Sequence, residues 1–398
     1  MDRVPRTVWA LGLVSLFMDL SSEIIHALLP LFLTTTLGVS VVMVGLIDGI
    51  AEATASISKV FSGYISDRIG RRKPLILLGY GLGALSKPFF ALAGSAPVVL
   101  GARFADRIGK GLRGAPRDAL VADVTPEAIR GRAFGLRQSL DTVGAFAGPL
   151  LAMGLMAVFA DDMRQVFWIA VIPAVLAVLC VIFGVTEQRQ PAHSETGQPP
   201  IRITDLKRLG RPFWTVVAIG VAFTLARFSE AFLILKASDE GLPLTFAPAV
   251  LVVMNVVYAL GAYPAGIASD RYNARSLLGL GLIVLIIADL AIALMPGLTG
   301  AFAGIALWGL HMALTQGLMA KLVADRSPID IRGSAFGLFN LATGLATLLA
   351  SLLAGLLWDK LGASSTFLAG AGFAIIAMIG LFLTGPMPLV IPRAPTPN

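Results

Sequence analysis

Apolar runs of about 20 residues recur from one end of the chain to the other, and each is long enough to cross a bilayer as a helix. Inside a bilayer every backbone polar group must be satisfied within the protein, so such a chain is restricted to a bundle of membrane helices. Of the 398 residues, 56% are hydrophobic and 14% are charged. A soluble domain carries roughly a quarter charged residues, so a thick soluble core does not explain the deficit. The runs predict twelve spans, at 7–33, 42–66, 74–94, 97–121, 133–159 and 164–186, then 212–237, 245–270, 275–295, 299–323, 334–359 and 364–385. Arg3 and Arg6 precede the first run as in a signal peptide. Asp19, Glu23 and His26 follow at once and no small-residue cleavage site closes the run, so the segment is read as a retained span.

Alternate loops differ in charge. One set holds Arg68, Arg71, Arg72 and Lys73, then Arg130 and Arg132, then Arg271 and Arg275, then Arg326 and Arg332. The other set is short and holds little beyond Arg164, Lys236 and Lys360. By the positive-inside rule the first set is expected to be cytoplasmic, together with both termini, in the cell (inner) membrane. The net charge of +7 therefore belongs to topology, and a nucleic-acid partner is not expected. Cys180 is the single cysteine, so no intramolecular disulfide can form. The segment 187–211 is rich in Pro, Gln, Ser and Gly and reads as a cytoplasmic linker, with His193 solvated in it.

The linker separates two stretches that repeat. ADVTPEAIRGRAFGL over Ala122–Leu136 returns as ADRSPIDIRGSAFGL over Ala324–Leu338, at an offset of 202. A second pair joins Gly63–Arg68 to Gly266–Arg271, and a weaker one joins Ser22-Glu23 to Ser229-Glu230. The expected architecture is all-α, with a six-helix bundle over 1–186 and a pseudo-symmetric one over 212–398. Parallel repeats of this kind are a known transporter plan, with the binding site near the midplane between them.

Gly63-Tyr-Ile-Ser-Asp67-Arg68-Ile-Gly70-Arg71-Arg72-Lys73 resembles the loop signature G-x-x-x-D-R-x-G-R-[RK] of the major facilitator superfamily, in the loop where that family carries it. A basic loop that only directs topology is the competing reading of the same residues. The resemblance implies that Asp67 contacts the start of the eleventh helix and that Arg71 pairs with Asp123, as a latch favouring the outward-facing state. Gly144-Ala-Phe-Ala-Gly148-Pro149 resembles the G-x-x-x-G-P motif of proton-coupled antiporters in the same family. Close packing of small residues is its alternative role. The family implies a small-molecule substrate, protons as coupling ion and the lipid bilayer as surroundings. A monomer without cofactor or resident metal is expected. No nucleotide-binding loop of the G-x-x-x-x-G-K-[ST] type occurs and no nucleophile–base arrangement emerges, so enzyme activity is not expected.

The fourth span is unusual in its charge. Arg103, Arg107, Lys110 and Arg117 share one face at about 100° per residue, with Asp106 beside them and Arg113 at the edge. Arg103 to Arg107 resembles the family's R-x-x-Q-G motif, with Asp106 and Arg107 in place of Gln and Gly. Arg113 and Arg117 lie near the inner end and can snorkel. Charges at this depth normally face a cavity or a partner. The acids available are Asp19 and Glu23 with His26 on the first span, and Asp48 and Glu52 on the second. Arg137 and Asp141 form an i,i+4 pair on the fifth. Asp19, Glu23, His26, Asp48 and Glu52 are the candidates for proton coupling, with Arg103 as the expected partner of Glu23. Candidates from the other half are Arg227, Glu230, Asn255, Tyr258, His311 and Gln316, with Phe228 and Trp308 as an apolar wall. At an offset of 202 the charged stripe becomes Ile305, Gly309, Met312 and Met319, so the two halves are chemically unlike. Export of an amphipathic compound in exchange for protons is the first expectation. Uptake or exchange of an anionic metabolite on the Arg/Lys stripe is the second, and a non-transporting sensor the third.

Overall fold

The structure is a computed structural model and describes residues 4–69, 71–126, 129–187, 208–327 and 331–383. The described residues are helical with short connections. The long helices are α1 (Arg6–His26), α2 (Val41–Ile69), α3 (Lys73–Leu92), α4 (Ala96–Asp123), α5 (Arg130–Val158) and α6 (Met163–Gly184). The last six are α7, in two pieces (Arg211–Ala226 and Ala231–Asp239), α8 (Ala249–Arg271), α9 (Ala274–Leu294), α10 (Gly297–Asp325), α11 (Arg332–Leu361) and α12 (Ala363–Leu383). Among the described residues, eleven spans are long and apolar enough to cross a membrane, and α4 is 28 residues long but too charged to meet that measure.

Two spans expected to be continuous are interrupted. α1 ends at His26, because Pro30 has no N–H for a helical ladder, and the chain continues through one turn and a π-helical turn at Phe32–Thr36. The hydroxyls of Thr34 and Thr35 donate to carbonyls of the preceding turn there. α7 breaks between Ala226 and Ala231 without Gly or Pro. The Ser229 hydroxyl oxygen accepts from the Ala231 N–H at 3.1 Å, meeting one donor of the restarted helix.

Helix pairing repeats with a shift of six. α1 packs on α5 and α6, α3 on α4 and α6, and α2 on α4. α7 packs on α11 and α12, α9 on α10 and α12, and α8 on α10. Between the two sets, α2 lies along α11 over a long seam, and α5 meets α8 more briefly. A Cβ on Gly45 would lie 2.2 Å from the Ser351 carbonyl oxygen, so only glycine permits this approach.

Arg72, Lys73, Arg130, Arg211 and Arg275 stand at one end of the bundle, called here the basic end. The sets are tied at the opposite, far end. The Asp359 carboxylate on α11 accepts from the N–H groups of Val41 and Val42 at 3.2 and 3.1 Å, capping α2 from the other set. Thr245 donates to Asp161 at 2.6 Å, joining the α5–α6 and α7–α8 connections. Beside it, Asp162 caps α6 by accepting from Arg164 and Gln165. The Gln165 side chain, above all, holds this exposed carboxyl below its usual range.

Candidate functional site

Between the two sets lies a cavity of about 530 Å³. Its deep end is at Asp48, Ser229 and Asn255. From there the lining runs towards the basic end as far as Gly220, Met319 and Phe339. With the far end tied, the opening lies towards the basic end, and the Glu52 side chain is 42% exposed within it.

The wall from α1, α2 and α4 carries Glu23, His26, Asp48, Glu52, Arg107 and Lys110. Behind it the charges form pairs. Arg103 Nη2 donates to Asp48 Oδ1 at 3.1 Å, and both side chains are buried. Arg107 Nη1 lies 3.3 Å from Glu52 Oε1, and His26 Nδ1 lies 3.5 Å from Glu23 Oε2. Lys87 Nζ donates to Asp106 Oδ1 at 2.8 Å and to Ser22 at 3.0 Å. Burial of single charges at this depth is costly, and pairing offsets the cost.

Arg103 therefore partners Asp48 rather than the expected Glu23. Arg103 and Asp106 do not line the cavity, because buried partners from α2 and α3 already neutralise them. Nor do Arg137 and Asp141 line it. They belong to a cluster nearer the basic end with Asp118 and Arg117. Arg117 does not simply snorkel. Its Nη1 donates to Ser15 at 3.0 Å and approaches the Tyr80 hydroxyl at 3.4 Å, linking α1, α3 and α4. Arg113 is buried with its guanidinium 4.6 Å from the centre of the Tyr80 ring. Asp19 also stands outside the cavity lining and faces Asp141.

The wall from the last six helices is different. Arg227, Glu230 and Asn255 line it, as do Phe223, Phe228, Phe339, Met319 and four threonines, Thr224, Thr315, Thr343 and Thr347. Tyr258, His311 and Trp308 do not. His311 is fully buried one ring behind the surface, stacked on Phe223 at 5.1 Å with Nδ1 2.8 Å from the Gly281 carbonyl. Trp308 is fully buried behind Phe228 and donates its indole N–H to Asp289 Oδ1 at 3.0 Å. Sequence reasoning missed Lys87, Ser229 and the threonines. The i,i+4 spacing of Thr343 and Thr347 on α11 was the available signal, whereas Lys87 stands alone in an apolar run. Ser229 donates to Asp48 Oδ2 at 2.6 Å, so the break in α7 is fastened to the ion-paired carboxylate of α2.

The Gly144–Pro149 motif of α5 lies directly on α1. A Cβ on Gly144 would meet the Leu16 carbonyl oxygen at 2.4 Å, and one on Gly148 would meet Glu23 Cβ at 2.6 Å. The missing side chains thus let α5 press against the turn of α1 that carries Glu23. Pro149 is buried beside them.

At the basic end, Asp123 pairs with Arg72, Nε to Oδ2 3.4 Å, one residue along from the Arg71 implied by the resemblance. Arg72 stands immediately before α3, and its side chain reaches the end of α4, where Asp123 is. Arg72 Nη1 also donates to Ser66 at 2.7 Å. Gly70 and the linker residues 188–207, His193 among them, lie outside the described residues, as do the side chains of Asp67, Arg68 and Gln316 and the surroundings of Gly63. Among the described residues no group of three or more His, Cys, Asp or Glu side chains is arranged to hold a metal.

The sequence profile of the Major Facilitator Superfamily matches residues 11–256 and 232–397. A protein of Methanocaldococcus jannaschii described as an uncharacterized MFS-type transporter is 34% identical over 387 residues, covering 95% of this chain and 94% of its own. The multidrug resistance protein MdtH of Escherichia coli is 25% identical over 367 residues, covering 90% and 88% of the two chains. Among solved structures, the nucleoside transporter NupG superposes with a TM-score of 0.78 at 13% identity, over 96% of this chain and 99% of that one. A bacterial homologue of the human lysosomal transporter Spinster, inward-facing and unoccupied, gives 0.76 at 17% identity, over 97% and 98%.

Proposed function

The chain belongs to the major facilitator superfamily and is a multi-pass membrane transporter, and from that premise we propose that it exports a small organic compound in exchange for protons by alternating access. Bundles 1–186 and 212–398 rock about the cavity, joined by the linker 187–211. The basic end faces the cytoplasm, in line with the positive-inside bias. The protein works as a monomer in the cell (inner) membrane.

One observation carries the exchange reading. The motif that resembles the proton-coupled antiporters packs its Gly148 against Glu23, an acid of the cavity wall. A carboxylate so placed meets substrate, water and the neighbouring cations Arg107 and Lys110 in one compartment. Rocking that changes the distance to those cations changes the proton affinity of the acid, and this links proton movement to the cycle. The charge balance speaks against a purely anionic cargo. Glu23, Asp48, Glu52 and Glu230 face Arg107, Lys110 and Arg227, so the wall has no net excess of cations. The relative MdtH is named a multidrug resistance protein, which is in line with an organic cargo, and the similar fold of NupG is that of a nucleoside transporter.

The test is flux in proteoliposomes with a ligand identified by thermal-shift screening. Glu23→Gln is expected to abolish transport driven by a pH gradient and to retain exchange at equal pH. Asp19→Asn and Glu52→Gln are run beside it. Full gradient-driven transport in all three variants overturns the proton-exchange reading.

A further inference from the structure

The charges facing the cavity are not all engaged. Once Arg103–Asp48 and Arg107–Glu52 are set aside as pairs, Lys110 and Arg227 remain, and so do Glu23 and Glu230. Among the described residues the side chains of Lys110, Arg227 and Glu230 make no ion pair within 4.0 Å and no hydrogen bond. Glu23 touches only His26 at 3.5 Å. Glu230 stands at the start of the second piece of α7 and does not cap it, so its carboxylate is not used by the fold. Arg227 stands at the end of the first piece, where the chain leaves the helix. The break in α7 thus presents a cation and an anion three residues apart, with Phe228 between them.

We infer that the cargo of this cavity is an amphipathic zwitterion, an organic compound bearing one cationic and one anionic group on an aromatic or aliphatic body. This inference rests on the reading of the cavity as the transport site. While the cavity is open, water solvates Lys110, Arg227 and Glu230, and Glu23 has only His26 beside it. When the cycle occludes it, water leaves and each needs a partner. A purely cationic ligand answers Glu23 or Glu230 and strands Lys110 and Arg227. A purely anionic ligand does the reverse. A ligand with both charges answers one wall charge of each sign and leaves the other two, of opposite sign, to balance each other, so selectivity against singly charged ligands is set by what they leave unpaired. The rings of Phe223, Phe228 and Phe339 then receive the body of the ligand. A volume of about 530 Å³ suits a small organic molecule and its retained waters.

The probes are the dipeptide tryptophanyl-phenylalanine, its C-terminal amide and its N-acetyl derivative, which share one aromatic body as zwitterion, cation and anion. Their binding to the full-length protein in nanodiscs is followed by thermal shift and by calorimetry at neutral pH, without a gradient. The free dipeptide is expected to bind at least roughly tenfold more tightly than either derivative, one group's worth of charge complementarity. In Lys110→Gln the dipeptide is expected to weaken to the level of the amide, whose own affinity is kept. In Glu230→Gln it is expected to weaken to the level of the N-acetyl form. Equal binding of the amide or the N-acetyl form to the wild type overturns the inference, and so does a failure of all three to bind at millimolar concentration. Full gradient-driven flux in Glu23→Gln, Asp19→Asn and Glu52→Gln with the zwitterion preference intact overturns the proton-exchange reading alone.

Discussion

The bond between Asp359 and the start of α2 exists only while the far end is closed, so its removal should shift the balance between the two states. The carboxylate takes two N–H donors of α2, at 3.2 and 3.1 Å, and lies at the positive end of that helix dipole. Loss of a capping side chain costs about 0.5–2 kcal/mol, and charge at an exposed helix terminus is worth about 0.3–1 kcal/mol. Both hydrogen bonds are exposed, so water replaces the lost acceptor and the lower part of these ranges applies. A loss of about 0.5–1 kcal/mol corresponds to a change of about two- to fivefold in the ratio of far-closed to far-open molecules. Asp359→Asn keeps an acceptor and is expected to show about half of the effect of Asp359→Ala. The assay is electron–electron spin resonance between labels at Thr36 and Leu361, which flank the seam, in a Cys180→Ala background that leaves no other thiol. A growing long-distance population in the order wild type, Asp359→Asn, Asp359→Ala is expected. Identical distance distributions for wild type and Asp359→Ala refute the argument that this cap holds the far end shut.

Two further outcomes follow from packing and charge. Gly148→Ala adds a methyl group 2.6 Å from Glu23 Cβ and is expected to lower stability by about 1–3 kcal/mol, read as a lower Tm, and to impair flux. Gly154→Ala on the same helix meets open space and should leave both unchanged, and equal behaviour of the two variants counts against the α1–α5 contact. Arg103→Ala leaves Asp48 buried without its cation, a loss of about 3–5 kcal/mol, whereas Arg103→Met combined with Asp48→Asn is expected to recover most of the Tm. A wild-type Tm in Arg103→Ala would show that Asp48 draws its compensation from elsewhere.

The helices were legible because membrane burial writes itself as long apolar runs, and even α4 declared itself through charges that share a face. Repeat and loop charge gave the order of the elements. The break in α7 was not legible. Ala226-Arg-Phe-Ser-Glu-Ala231 contains no Gly or Pro, and one fastening of the turn, the Ser229–Asp48 bond, is 181 residues away in sequence. Ion partners failed for a related reason. A helix face can be read from spacing, but depth relative to a neighbouring helix cannot. An error of one turn, about 5.4 Å, exchanges one acid for another. Spacing also does not tell which neighbouring helix a face meets: Arg103 meets Asp48 on α2 where Glu23 on α1 is expected, and Asp106 meets Lys87 on α3. Position in the cavity failed where a charge already had a buried partner, as for Arg103 and Asp106, and where a ring stood in front, as for His311 behind Phe223.

The unequal chemistry of the two halves has a mechanical consequence. The strong buried pairs, Arg103–Asp48 and Lys87–Asp106, lie within the first six helices and can travel with them as one body. Among the described residues, the bonds that we find crossing to the last six are of another kind: hydroxyl or backbone N–H donors on the carboxylates of Asp48, Asp161 and Asp359. A buried ion pair across the seam would cost about 3–5 kcal/mol to part, because each partner would be left alone in a poor solvent for charge. A hydrogen bond from a neutral donor to a carboxylate is worth about 1.5–3 kcal/mol at most, and less where water reaches it, as at Asp161 and Asp359. Asp48 also keeps Arg103 when Ser229 leaves, so the parted carboxylate is never uncompensated. Keeping the strong buried ion pairs within the first six helices therefore lets that half hold a fixed, charged surface at membrane depth while the seam stays easy to open.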